Sequence, residues 1–131
     1  MLLLNPNTNA TTTNMMCALA AEDLCSTGME VRGITVAGGP RMIIDPDALA
    51  RSERYVREAV SEQLAADSEA AIAGVIVGAI GDPGRAWLSQ ECRVPVIGIG
   101  QASILRAGRH GRRFGMATST PLLAGSLVLR I

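Results

Sequence analysis

Lysine is absent from the 131 residues, and histidine, tryptophan, tyrosine and phenylalanine occur once each. The first absence excludes a glycine-rich phosphate loop, whose lysine reaches the outer phosphates. The single histidine, His110, lies between Arg109 and Gly111 and reads as an exposed helix-end residue, so neither a metal site nor a cofactor is expected. Cysteine is also sparse. Cys17, Cys25 and Cys92 are odd in number and form no CxxC pair, which argues against a disulfide framework or a structural zinc site and fits a reducing cytoplasm. No apolar run approaches the roughly 18 residues of a membrane span, and the apolar opening runs straight into Asn5-Pro6, so neither a membrane partner nor export is expected.

What is present is a composition able to fold. Hydrophobic residues make up 48% of the chain and charged residues 18%, and a domain near this size hides roughly two-thirds of its unfolded surface. The charge is unevenly spread. All 12 acids lie at or before Glu91, while every charged side chain from Cys92 onward is an arginine, so the two parts carry net charges of about −6 and +6. The cluster Arg106, Arg109, Arg112 and Arg113 has two readings, a nucleic-acid patch or a solvated helix end. Only Phe114 supplies an aromatic beside it, so no nucleic-acid partner is expected.

The chain alternates strand and helix. The apolar opening is a first strand that breaks at Asn5-Pro6-Asn7-Thr8, and a helix is predicted over residues 9–26 with Cys17, Ala21, Leu24 and Cys25 on its buried stripe, closed by Thr27-Gly28. Residues 29–36 form a second strand, ended by Gly38-Gly39-Pro40. Asp45-Pro46 opens a second helix with Leu49, Val56, Val60 and Leu64 inward and the pairs Asp47/Arg51 and Glu53/Arg57 outward. The run at residues 72–77 is apolar without alternation, as a central strand of a parallel sheet requires. It leads into the small-residue bend Gly78-Ala79-Ile80-Gly81, and Asp82-Pro83 supplies an N-cap and first helical residue for a helix over residues 83–92. In open α/β sheets such carboxyl-end bends hold the ligand.

Cys92 ends that helix beside Arg93: an arginine lowers a thiol's pKa, and a helix C-terminus raises it. A fourth strand at 94–99, a helix at 101–109 and a fifth strand at 114–117 leading to Thr118-Ser119 complete the pattern. The fold class is therefore α/β, a parallel sheet flanked by helices in the Rossmann or flavodoxin manner. Gly98-Ile99-Gly100 invites a dinucleotide reading. It fails because Ser103 stands at the third position and no acid follows to hold a ribose.

Five blocks in order carry a resemblance: Asn5-Pro6-Asn7-Thr8, Gly39-Pro40, Gly81-Asp82-Pro83-Gly84, the run from Pro95 to Gly100, and Arg113-Phe114-Gly115 leading to Thr118. Together they resemble the hydantoin racemase family, which includes allantoin racemases, within the aspartate/glutamate racemase superfamily. The resemblance implies a cofactor-independent racemase of hydantoins, allantoin or related amino-acid derivatives. It implies two similar α/β lobes with a cysteine from each on opposite faces of the substrate carbon, one removing a proton and the other returning it. Backbone amides and hydroxyls stabilise the enolate-like charge. Carried over by position, Asn5, Asn7 and Thr8 line the first loop, Ile80 and Gly81 the central loop, and Thr118 with Ser119 the approach to a second lobe.

Two departures qualify that expectation. The family's first cysteine falls on Ala79, whose methyl carries no proton. Residues 1–111 match a first lobe, and 112–131 read as the first strand and helix of a second lobe that is missing or only begun, so the second cysteine lies outside this sequence. The chain is then expected to be inactive on its own. Superfamily relatives with one cysteine are decarboxylases, so one-sided protonation is the expectation if a second lobe exists. Alternatives are a binding or self-associating module, and a truncated gene product. A small-molecule substrate is the expected partner, with homo-oligomerisation through the apolar run in residues 121–131.

Overall fold

The computed structural model describes residues 1–66 and 72–128. Four strands, β1 (Leu2–Asn5), β2 (Arg32–Thr35), β3 (Val75–Val77) and β4 (Val96–Gly98), form one sheet in the order β2-β1-β3-β4. All three pairings are parallel, with Leu4 opposite Ile34 and Val77, and Val77 opposite Gly98. The two central strands are those that read as unbroken apolar runs, because only strands covered on both faces need side chains that shun water on both. The edge strand β2 is partly exposed.

Helices α1 (Ala10–Leu24), α2 (Pro46–Ala66), α3 (Arg85–Glu91) and α4 (Ile99–Ala107) alternate with the strands, and a short α5 (Ala124–Val128) follows a 3-10 turn at Pro121–Leu123. The main core lies between one sheet face and α2 with α3. Leu2, Leu4, Val75 and Val77, at period two on that face, meet Val56 and Val60 of α2, Leu88 of α3 and Cys92. On the other face α1 packs against β1 and β2. There Gly33 lets the helix come close: a Cβ on it would stand 2.5 Å from Cys17 Sγ and 2.9 Å from Thr13 Cγ2.

Local chemistry explains most boundaries. Asn9 caps α1 by accepting from the amides of Thr11 and Thr12. A 3-10 turn over Cys25–Thr27 then ends on Gly28 in the left-handed region. Asp45 Oδ1 accepts from the Ala48 amide at 2.7 Å at the start of α2, where Pro46 loses nothing by lacking an N–H. Among the described residues, no helix is long and apolar enough to cross a membrane.

Several expectations are corrected. Cys25 and Ala21 are exposed, and the inward stripe of α1 runs instead through Thr13, Cys17 and Leu24. Arg57 lies over the Trp87 ring at 4.4 Å, and the ion pair along α2 is Arg54 with Glu58 at 3.3 Å. The helix expected from Pro83 begins at Arg85, capped by Gly84 in the left-handed region. Phe114 to Ala117 forms no strand; the four residues are exposed, and an apolar run becomes a strand only where a neighbour completes its hydrogen bonds. The apolar run near the C-terminus is half covered: Leu123 and Leu127 bury against Leu49, while Leu122 and Val128 stay 66% and 65% exposed. Its last three positions lie outside the described residues.

Candidate functional site

After β1 the chain turns aside to reach β2, and after β3 it continues to β4 on the opposite side. The loops following β1 and β3 therefore diverge and leave a crevice at the carboxyl ends of the central strands, the usual ligand position in such sheets. A cavity of about 420 Å³ occupies it.

The first loop is built on Asn5, which is fully buried. Its Nδ2 lies within hydrogen-bonding distance of Asn7 Oδ1 at 3.1 Å, the Asn9 carbonyl at 2.9 Å and Thr13 Oγ1 at 3.0 Å, and its Oδ1 accepts from the Asn7 amide. Thr13 Oγ1 is 2.6 Å from Thr35 Oγ1, which extends the network to β2. Asn5 thus ties strand, loop and helix together from beneath and does not line the cavity. Asn7 does. Its Oδ1 accepts both from Asn5 and from the Asn9 amide at 2.9 Å. Two donors on the oxygen leave the NH2 as the end of Asn7 that is free to serve a ligand. The Thr8 amide donates to the Pro40 carbonyl at 3.1 Å, joining the first two loops; Thr8 does not line the cavity.

Ala79, Ile80 and Gly81 line the cavity together. They form a turn in which the Asp82 amide donates to the Ala79 carbonyl at 2.9 Å. Among the described residues, the amides of Ala79, Ile80 and Gly81 have no backbone acceptor. Asp82 itself corrects the sequence reading. It is 5% exposed and sits at φ 45°, in the left-handed region. Its carboxylate turns away from α3 to α4, where Oδ1 accepts from the Gly100 amide at 2.8 Å and Oδ2 from the Gln101 amide at 2.6 Å. The bend after β3 is thereby clasped to the start of α4.

Of the other expected residues, Thr118 lines the cavity and Ser119 does not. Thr118 Oγ1 is 2.7 Å from Thr120 Oγ1 and accepts from the Thr120 amide. Sequence reasoning missed the α4 wall (Gly100, Ser103, Ile104 and Ala107) and the apolar rim of Met42, Ile43 and Met116. The signal for the first was present in Gly98-Ile99-Gly100, weighed there as a dinucleotide motif and as part of a resemblance block, and not as a cavity wall. Among the described residues, none that lines the cavity is charged, and no three His, Cys, Asp or Glu side chains are placed to hold a metal ion. Such a site offers neutral donors and apolar walls, suited to binding a carbonyl compound, with the Ala79 methyl among the groups that line it.

Comparison with known proteins follows this geometry. The family model described as Asp/Glu/Hydantoin racemase matches residues 1–128. Among solved structures, allantoin racemase from Klebsiella pneumoniae superposes with a TM-score of 0.68 at 28% sequence identity, over 81% of this chain and 41% of that one. This chain therefore spans less than half the length of that relative. No curated protein matches the sequence at the same stringency.

Proposed function

Because this chain belongs to the Asp/Glu/hydantoin racemase family, we propose that its cavity is a substrate-binding half-site for a hydantoin, allantoin or related amino-acid derivative, without racemase activity in this chain alone. The observation that carries the reading is Ala79, which lines the cavity where the resemblance puts the first proton-transfer cysteine. Around it lie groups suited to a carbonyl: the Asn7 NH2, the amides of the bend and the one hydroxyl proton that the Thr118–Thr120 pair has left over from its mutual hydrogen bond. Donors of this kind polarise a ring carbonyl and stabilise the charge left when a proton departs from the adjacent carbon. They do not remove the proton. That step needs a base at hydrogen-bonding reach, and loss of one such group removes about 10² to 10⁴ in rate.

The reading expects binding without turnover. A single enantiomer of a 5-substituted hydantoin incubated with the protein in deuterated water is expected to keep its optical rotation and its proton at the rate of buffer alone. The same compound is expected to give heat on calorimetric titration and to raise Tm. Deuterium uptake above buffer would overturn the inactivity, and absence of both heat and thermal shift would overturn the binding.

A second prediction concerns the floor of the cavity. In Ala79→Cys, the new thiol is expected to alkylate faster than Cys17 and Cys92, because Cys92 is buried and burial pushes the Cys17 thiol above its ordinary value. Exposed Cys25 is the fast internal reference. The hydantoin is expected to protect position 79 and leave Cys25 unchanged, which peptide mass mapping reads directly. Protection of all four thiols alike, or of none, would remove Ala79 from the ligand site. Racemisation is expected to stay absent, since a lone thiol has no partner on the opposite face.

A further inference from the structure

The α4 amides that Asp82 occupies are the groups to which an incoming anion would otherwise be drawn. A helix start presents converging N–H groups and the positive end of the helix dipole, which together make a ready anion site. Gly98 has no side chain with which to cap its own helix. Asp82, distant in sequence and nearly buried, takes the place of that cap and uses both oxygens on Gly100 and Gln101.

The fit around it is close. A Cβ on Gly98 would run into the Asp82 carboxylate, and one on Gly100 into the Ile80 carbonyl oxygen. Gly100, Ile80 and Gly81 are themselves cavity wall, so Asp82 stands directly behind the floor. We infer that Asp82 is a positioning and specificity-determining residue: by filling the α4 anion site from within, it sets the floor and makes the cavity select an uncharged carbonyl ligand over a carboxylate.

The electrostatics follow from what the wall contains. The two amides offset part of the Asp82 charge and leave nothing over for a second anion. A ligand carboxylate entering the cavity would give up its hydration, find no cationic side chain among the described lining residues and approach a like charge. A neutral amide or ring carbonyl would meet the Asn7 NH2 and the remaining hydroxyl proton of the Thr118–Thr120 pair instead. The family spans acidic amino acids and neutral rings, and this floor belongs with the second. The inference rests on the proposed function in one respect, that the ligand is an amino-acid derivative.

The test uses a matched pair, N-acetyl-leucinamide and N-acetyl-leucine, which differ in little but the charge of one end. Both are titrated into the full chain by NMR alongside 5-isobutylhydantoin. The amide is expected to bind about ten-fold or more tighter than the acid, one such factor being a modest discrimination for a group denied its partner. In Asp82→Asn, which removes the charge and leaves one of the two α4 amides without an acceptor, and in Asp82→Ser as a second variant, the ratio is expected to fall below about three-fold. A change of that ratio is something a merely structural role would not produce. Equal or tighter binding of the acid to the unmodified chain overturns the inference, as does a ratio unmoved in a folded variant; the unmodified chain decides the charge preference even where neither variant folds. Hydantoin binding with amide and acid at parity overturns the inference and leaves the proposed function standing. Amide preferred over acid with no hydantoin bound does the reverse, and binding of none of the three overturns both.

Discussion

Gly100→Ala is expected to destabilise the protein by about 3 kcal/mol or more, against the usual direction of glycine-to-alanine changes in a helix. Ordinarily alanine gains about 1 kcal/mol over glycine in a helix interior. Here the added methyl would strike the Ile80 carbonyl oxygen, a backbone atom that moves only with its whole turn. Overpacking of this kind costs roughly 1–3 kcal/mol. Pushing the turn away also lengthens the two bonds from the α4 amides to Asp82, and hydrogen bonds to charged groups contribute about 1.5–3 kcal/mol each. Both costs exceed the gain in propensity, so the sign is settled. Gly125→Ala is the control: it lies in α5 with nothing near its missing Cβ, and is expected to be neutral or slightly stabilising. Urea unfolding of the two variants decides the matter. A Gly100→Ala protein as stable as the parent would mean that the β3 loop does not rest on α4.

The second large effect is expected at Asn5. Leucine has the same branched shape with bulkier methyls, so it overfills the site, and it removes every polar contact of the side chain: the Asn7 amide loses its acceptor, while the Asn9 carbonyl and Thr13 Oγ1 each lose one of several hydrogen bonds. A buried group left unsatisfied costs about 1–3 kcal/mol, so a total of about 3–4 kcal/mol is expected for Asn5→Leu, and less for Thr13→Val, which loses one hydroxyl. The double variant is expected to lose less than the two changes summed, because both break the same Asn5–Thr13 bond. Full additivity in urea unfolding would show that the two residues act independently. The loss at Asn5 is a loss of scaffold, and its effect on ligand binding is expected to follow through the freed orientation of Asn7.

This distinction was not legible in the sequence. Asn5, Asn7 and Thr8 look alike in the motif, yet one lies under the loop, one faces the cavity and one bonds to the next loop through its backbone. Adjacent polar residues in a turn point in different directions, and only the path of the backbone decides which reaches the ligand. Ala79, Ile80 and Gly81 all line the cavity, since the end of a central strand opens on the crevice whatever the details of the bend.

Asp82 shows the limit most clearly. Followed by proline, it has the local form of a helix cap, and nothing within a few residues says otherwise. Its true partners lie at Gly100 and Gln101, brought near by the parallel pairing of β3 with β4. The same juxtaposition explains Gly98 and Gly100 as room for Asp82 and Ile80, where the sequence alone offered a failed cofactor motif and a resemblance block without a physical reason for the glycines. Phe114 to Ala117 failed for a related reason: four apolar residues satisfy the pattern of a strand, but strand formation depends on a partner that no local pattern records.

By itself the sequence determined what depends on period and on local chemistry: the alternation of strand and helix, the parallel sheet with its apolar central strands, the cap at Asp45, and the methyl of Ala79 at a strand end. Those features follow from interactions between residues close along the chain or from burial on both faces of a sheet. The tertiary structure alone decided which loop residues meet around the cavity, that Asn5 supports while Asn7 presents, and that Asp82 closes the start of α4. Each of these joins groups far apart in sequence, and their distance in space is set by strand order and register, which local preferences leave open.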